Sequence, residues 1–412
     1  MGFTTYAELF RIPAVRRILL LGMVVRVPLW AASVVLTLHV VEHLDRSYTE
    51  AGLVAAIQAV TLGVSGPFRG RRLDRLGLRR AVAPSLAVLL VCWCIGPWVG
   101  YWPLLACAAV AGLFTVPSFS IVRTVLIGAV SERQRTTALS IDSVATELTF
   151  MVGPVAGVLL ATSVPTPIAL FACEMASLAG AALIWWANPP LRSAQESATP
   201  TAQVQARTWM SPAVFAILAI SVVATITLTG EDLATVAALR EWGHPSSIGW
   251  VLAVWGAGSA IGGIVYGALS RHPPAAVLLV FLAASTALVA VAPDRTWFTV
   301  LLFLSGLFCA PTVTATTDDL SRVVPAGSRG EAMGWHGSAM MVGSAGGAPL
   351  IGAAIDLGGW QWGLLVAGLT GLVIALAGLV IVRNRRAPAP ATAFAETPVI
   401  EPVVDTPPVG TH

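Results

Sequence analysis

Four ionisable residues, Arg26, Glu147, Glu231 and Asp232, stand inside stretches that are otherwise almost wholly apolar. A charge at the centre of a membrane helix costs about 2.5–3.5 kcal/mol even on mild scales, so each is expected to face an interior cavity and to have a partner or a task. A carboxyl group there can take up and release a proton, and an arginine can hold a carboxylate in place. Arg26 and Glu147 fall at similar depth in their runs, which makes an Arg26–Glu147 pair the first expectation and Asp232 the second partner. A structural ion pair and a role in proton or substrate binding are both open. Glu231 and Asp232 are adjacent, so on a helix they point about 100° apart and only one faces a cavity squarely. Proton carriage and hydration near the outer surface are the two readings for that pair. Trp30 and Trp255 lie deep enough to line an aromatic substrate wall.

A second cluster is basic. Gly70-Arg71-Arg72-Leu73-Asp74-Arg75-Leu76-Gly77-Leu78-Arg79-Arg80 is a short charged hinge between two long apolar runs. Such a loop lies at a membrane surface, and the positive-inside rule assigns it to the cytoplasm. With the N-terminus also cytoplasmic, only Arg46, Arg240 and Arg295 fall outside and Arg26 within a span; every other arginine is inside. This implies a membrane crossed repeatedly, with both termini in the cytoplasm.

The elements that must position these residues are membrane helices. The chain is 56% hydrophobic and 11% charged over 412 residues, more apolar surface than a water-soluble protein of that length can hide. Runs near ~20 residues with few charges, the length that spans a bilayer, occur at 14–41, 50–68, 81–99, 103–127, 138–162, 166–187, 212–238, 245–269, 274–292, 297–320, 331–355 and 360–382. The net charge of +3 therefore reports topology, and no nucleic-acid partner is expected. All five cysteines lie within apolar runs, so disulfides, metal sites and cofactors are not expected. No clustered histidines, nucleophile–base pair or phosphate loop points to an enzyme.

Residues 188–208 form a polar linker between six runs and six, and 387–412 read as a disordered cytoplasmic tail. The halves, 1–187 and 209–386, carry matching fragments. Gly153-Pro154-Val155-Ala156-Gly157 corresponds to Ala348-Pro349-Leu350-Ile351-Gly352, and the hinge corresponds to Gly267-Ala268-Leu269-Ser270-Arg271, which lacks the acid. The near-constant spacing argues for an internal duplication.

Gly70-x-x-x-Asp74-Arg75-x-Gly77 followed by Arg79-Arg80, between the second and third of twelve runs, resembles the signature loop of the major facilitator superfamily. Gly153-Pro154-x-x-Gly157 is similar to the antiporter motif of its drug:proton exporters, and Leu21-Gly22 with Pro28 partly resembles a first-span motif of the same proteins. Arg26-Val27-Pro28, Glu147 and Thr312 after Pro311 resemble actinobacterial efflux permeases. The resemblance implies an all-α polytopic membrane protein with twelve transmembrane helices in two six-helix pseudo-symmetric halves, a monomer in the lipid bilayer. It also implies export of a small amphipathic substrate by proton antiport with alternating access. Proton-coupled uptake of a metabolite, or a non-transporting receptor that keeps the fold, are the alternatives. Residues 103–122 hold no charge where many drug:proton antiporters carry a buried arginine, and Arg123 comes later, so that relay is not carried over.

For the hinge, the resemblance implies a gate in which Asp74 docks on the cytoplasmic start of the run at 331–355. A helix start offers free N–H groups and a partial positive charge to receive it. Arg75, Arg79 and Arg80 are expected to bridge to Glu132 or lipid phosphate, with Gly70 and Gly77 permitting tight turns. Pro154, Gly153, Gly157, Pro349 and Gly352 are expected where the halves slide on each other. Asp142, Asp318, Asp319 and His336 read as residues near the inner membrane surface, with Arg322 or Arg329 as latches, and Glu174 as a candidate for the pathway wall. Trp209 and Trp360 are placed in the interfacial aromatic belts.

Overall fold

The computed structural model describes residues 4–191, 209–244 and 247–385, which are helical nearly throughout. Apart from 188–191, the expected linker lies outside the described residues, as does the expected tail. The helices are α1 (Thr4–Arg11), α2 (Pro13–Leu38), α3 (Tyr48–Ile95), α4 (Tyr101–Phe114), α5 (Ser118–Ala129), α6 (Glu132–Ser163) and α7 (Thr166–Ala187). They continue as α8 (Pro212–Glu241), α9 (Ile248–Ala268), α10 (Ala275–Val289), α11 (Arg295–Val323) and α12 (Arg329–Arg385).

Helix is what the bilayer demands, because each backbone N–H and C=O must be satisfied within its own segment. Among the described residues nine helical stretches are long and apolar enough to cross a membrane, and α10 is a shorter apolar helix. The chain is a multi-pass membrane protein. This grouping differs from twelve separate runs because α3 and α12 are each continuous but broken. Gly77 takes φ 73° and ψ 171° inside α3, and Gly359 takes φ 81° inside α12 after a non-helical Gly358. The run at 103–127 is two helices, since Pro117 supplies no N–H and disfavours helix before it; α4 ends at Phe114 and α5 begins at Ser118.

Helix starts are marked by local polar chemistry. Ser47 and Glu50 cap α3 reciprocally, the Glu50 N–H donating to Ser47 Oγ at 3.2 Å and the Ser47 N–H to Glu50 Oε2 at 3.0 Å. Asp294 accepts from the N–H groups of Thr296 and Trp297 at the start of α11. Large apolar residues such as Val64, Phe68, Leu159 and Leu357 point outward, while Arg26, Asp142, Glu231 and His336 are buried. That inversion suits a lipid surround and a polar interior.

α2 packs on α6 and α7, α3 on α4, α8 on α12, and α9 on α11. Two seams join the earlier helices to the later ones, α3 against α12 and α6 against α9. Small residues let these backbones approach. A Cβ on Gly70 would overlap the Gly330 carbonyl, and one on Gly63 would touch Met341. Further along, Gly52 and Gly346 meet nothing within 4 Å, so this seam is tight at the Asp74 end and loosens away from it.

Gly77→Ala tests the break in α3. A Cβ there meets nothing within 4 Å, so the cost is the positive-φ backbone alone, about 1–3 kcal/mol. Reversible unfolding by detergent titration should show that loss, whereas Gly52→Ala, equally unobstructed and inside the helical part of α3, should lose nothing.

Candidate functional site

At the tight end of the α3–α12 seam the Asp74 carboxylate receives the start of α12. The Gly330 N–H donates to Oδ1 at 2.9 Å and the Glu331 N–H to Oδ2 at 2.8 Å. Charge-assisted bonds from a helix start to a carboxylate are among the stronger hydrogen bonds available. Arg71 adds an ion pair, its Nη2 2.5 Å from Glu331 Oε1. Further in, Ser338 Oγ donates to the Gly63 carbonyl at 2.5 Å.

The surrounding hinge residues divide differently from expectation. Gly70 lies within helix and serves close approach rather than a turn, while Gly77 does make the break. Arg79 donates to the carbonyls of Trp185 and Trp186 at the end of α7, at 3.4 and 3.0 Å. Glu132 is held by Arg135 at 3.0 Å and not by the hinge arginines, and Arg75 and Arg80 are exposed. Arg71 and Glu331 are the pair that sequence reasoning missed. Its one signal was Glu331 at the start of the run the hinge was expected to meet.

The α6 seam is stitched by hydroxyls and acids. Thr136 Oγ1 donates to Asp318 Oδ2 at 2.5 Å, Thr137 Oγ1 to the Gly267 carbonyl at 2.6 Å, and Ser143 and Thr314 share a bond at 2.8 Å. Arg322 holds the same Asp318 at 3.2 Å, and Asp319 accepts from the Ala275 N–H at the start of α10. The Gly267 fragment, which has no acid, is met instead by Thr137 and by α1, whose Tyr6 hydroxyl donates to the Ile264 carbonyl at 2.6 Å. Burial pushes the Tyr6 phenol up to about 12, so it stays a donor at neutral pH.

Arg26 is buried, and its partner is Asp142, not Glu147. Arg26 Nη1 lies 2.7 Å from Asp142 Oδ1 and 2.9 Å from Thr146 Oγ1, with the guanidinium 4.3 Å from the Phe119 ring centroid. Arg123 Nε reaches the other oxygen, Asp142 Oδ2, at 3.3 Å. Asp142 therefore sits fully buried between two arginines, and the expectation of a surface acid is corrected. The break before Ser118 is the reason, because it turns α5 inward and carries Arg123 onto α6. Arg26 Nε and Nη2 have no protein acceptor. His336, read as interfacial or hydrogen-bonded, is buried and hydrogen-bonded, with Nε2 3.0 Å from Thr316 Oγ1.

The remaining acids gather apart from the arginines. Glu231 accepts from Trp255 Nε1 at 2.7 Å, from Thr286 Oγ1 at 2.5 Å and from Ser305 Oγ. Trp255 thus serves Glu231 rather than an open wall. Glu147 Oε1 accepts from Cys309 Sγ of α11 at 3.7 Å, and Asp232, next to Glu231 in the chain, is half-buried. Among the described residues none of the three acids is in an ion pair. Glu174 is buried beside a small cavity of about 40 Å³ that Gln58, Ser118 and Ser177 also line.

Trp30 packs edge-on against Phe150, centroids 5.0 Å apart, and its buried indole N–H has no acceptor. Gly153 and Gly157 face α2, against Val27–Ala31, rather than a seam between earlier and later helices. Gly352 meets nothing within 4 Å, and Pro349 is exposed. Trp209 and Trp360, expected in interfacial belts, are buried.

The Asp142 centre makes a stability prediction. Asp142→Asn leaves two buried arginines without an anion and should cost about 3–5 kcal/mol, whereas Arg123→Gln leaves the Arg26 pair and should cost less. Detergent-titration unfolding of the two variants would show that order; equal losses would contradict it.

The comparisons agree with this architecture. The family model for the Major Facilitator Superfamily matches residues 18–239 and 233–409. No curated protein sequence matches the chain. Among solved structures it resembles the human organic anion transporter MFSD10, at TM-score 0.71 and 16% identity over 89% of this chain and 100% of that one. It also resembles the Escherichia coli fucose:proton symporter, at 0.66 and 14% over 88% and 98%. A bacterial homologue of the iron transporter ferroportin in its outward-facing state aligns at 0.69 and 14% over 90% and 98%. At these identities the structures speak to the fold, and the family match covers most of the sequence: the chain belongs to the Major Facilitator Superfamily and is a transporter rather than an enzyme.

Proposed function

We propose that this protein is a secondary active transporter that exports a small amphipathic compound in exchange for protons by alternating access. The observation that carries the proposal is the set of Glu147, Glu231 and Asp232, three acids within apolar helices that are in no ion pair among the described residues. Carboxyl groups with no fixed cation can exchange protons. The resemblance of Gly153-Pro154-x-x-Gly157 to the antiporter motif supports the export direction. The fucose:proton symporter shows that proton coupling occurs on this fold.

The architecture we propose has twelve crossings. α3 and α12 count twice each across Gly77 and Gly358–Gly359, α4 with α5 counts once, and α10 counts despite its length. Residues 1–187 and 209–386 are then two six-helix halves joined by the linker 188–208, with the Asp74 end and both termini cytoplasmic. The molecule acts as a monomer in a bacterial inner membrane. In this conformation the cytoplasmic end is closed by Asp74, Arg71 and the α6 hydroxyls, and Gly70, Gly77, Arg75, Arg79 and Arg80 shape the gate around them. The substrate meets Trp30 and the unfilled donors of Arg26 on one side and Glu147 and Asp232 on the other, a mixed apolar and polar wall that suits an amphipathic molecule.

Protein in liposomes with an internal pH dye and an imposed pH gradient tests the coupling. Amphipathic compounds should evoke proton flux that Glu147→Gln or Asp232→Asn reduces to background. Unchanged flux in both variants would overturn proton antiport, and compound moving in the same direction as protons would make the protein an uptake symporter. Asp74→Asn should slow turnover while substrate binding persists; a turnover rate equal to wild type would remove the gate from the account.

A further inference from the structure

Between the first part of α3, its return after Gly77 and the end of α4 lies a pocket of about 440 Å³ that no step of the proposed transport cycle uses. Its polar wall is Arg69, Arg72, Ser65 and Ser85, and no carboxylate lines it. Its apolar wall includes Val64, Phe68 and Leu113, all exposed on the outer surface of the bundle.

Arg69 is fixed in place. Its Nη2 donates to Ser85 Oγ at 3.0 Å and its Nη1 to the Leu113 carbonyl at 3.3 Å, near the end of α4. The Ser85 hydroxyl, which accepts from Arg69, keeps its own proton to donate. Arg72 lies three residues on, on the same face of α3; it is exposed and has no ion-pair partner among the described residues. Nearby acids are engaged elsewhere, Asp74 with α12 and Glu331 with Arg71. Arg69, Arg72 and Ser85 therefore line one pocket, and no carboxylate among the described residues lines it with them.

We infer that this pocket binds an anionic phospholipid, its phosphate on Arg69, Arg72 and Ser85 and its acyl chain along Val64, Phe68 and Leu113. Two features select a lipid over a free anion. The pocket is larger than one phosphate needs, and Val64, Phe68 and Leu113 of its lining are exposed apolar side chains. Basic pockets between membrane helices are suited to phosphate headgroups because guanidinium matches phosphate with paired N–H donors. The position also matters, since the pocket is built on the same α3 that carries Asp74. A lipid seated there braces the gate helix from the side opposite α12.

Native mass spectrometry of the full chain in detergent, with phosphatidylglycerol or phosphatidylcholine of identical acyl chains added, tests the inference. One phosphatidylglycerol should be retained in preference to phosphatidylcholine, and Arg72→Gln should weaken retention about five-fold, as expected for one arginine near an anionic headgroup. Arg69→Gln/Arg72→Gln should abolish the preference, and the charge-matched control Arg16→Gln/Arg17→Gln should preserve it. Should the double variant fail to fold, the exposed Arg72→Gln decides alone. Equal retention of both lipids, retention unchanged in Arg72→Gln, or an equal loss in the control would overturn the proposal. Displacement by inorganic phosphate would reduce the pocket to a free-anion site and overturn it as well.

Discussion

One carboxylate joins two long helices at one end of this molecule, and the proposed gate rests on it. Asp74, on α3, takes two N–H groups from the start of α12, and everything else at that end is arranged so that it can. Gly70 and Gly330 remove the side chains that would keep the helices apart. Gly77 breaks α3 so that the chain can return beneath the acid. Arg71 then ties Glu331, the residue whose N–H the carboxylate receives, back to α3. A carboxylate at a helix start contributes about 0.3–1 kcal/mol, more when partly buried, and hydrogen bonds to a charged group contribute about 1.5–3 kcal/mol. Sums of that size match the few kcal/mol that separate conformers in an equilibrium that ligands can shift. A gate of this strength closes firmly and still opens.

The interior separates its charges by task. Arg26, Arg123 and Asp142 form a compact centre of two cations on one anion, a geometry that fixes α2, α5 and α6 to each other. Glu231 has hydroxyl and indole donors and Glu147 a thiol, and neither they nor Asp232 are in an ion pair among the described residues. Removing one member of the first arrangement leaves a buried charge uncompensated. The second carries no such constraint, and the proposed proton coupling rests on it.

Much of this was legible in the sequence where it depended on local pattern. The apolar runs matched helices closely, as at 166–187 and 212–238, because span length follows from bilayer thickness. The Asp74 contact followed from motif and position together. Pairings that depend on how helices turn were not legible. Asp142 looked interfacial because only four residues separate it from the start of its run, yet Arg123 reaches it once Pro117 has broken the helix before α5. Similarly, Gly153 and Gly157 carry a recognisable motif, but which neighbour fills their flat face is decided by helix rotation, and that neighbour is α2. Glu231 gave a signal as a buried acid, while its partners Thr286, Ser305 and Trp255 come from three separate helices.

The loss of the acid in the second hinge, at Gly267 to Arg271, makes the two seams unequal. At that fragment the contacts are hydroxyls on carbonyls, from Thr137 and Tyr6, and Thr136 donates to Asp318 nearby; among the described residues the carboxylate that crosses to a helix start of the later helices is Asp74. The most direct measurement is the distance across that end of the molecule, by double electron–electron resonance between spin labels at the exposed positions Leu76 on α3 and Val323, the last residue of α11 before α12 begins. With Asp74 present the account gives a short-distance population, and Asp74→Asn moves most molecules to a longer distance. A distribution unchanged by that substitution would contradict the claim that this carboxylate holds the end closed.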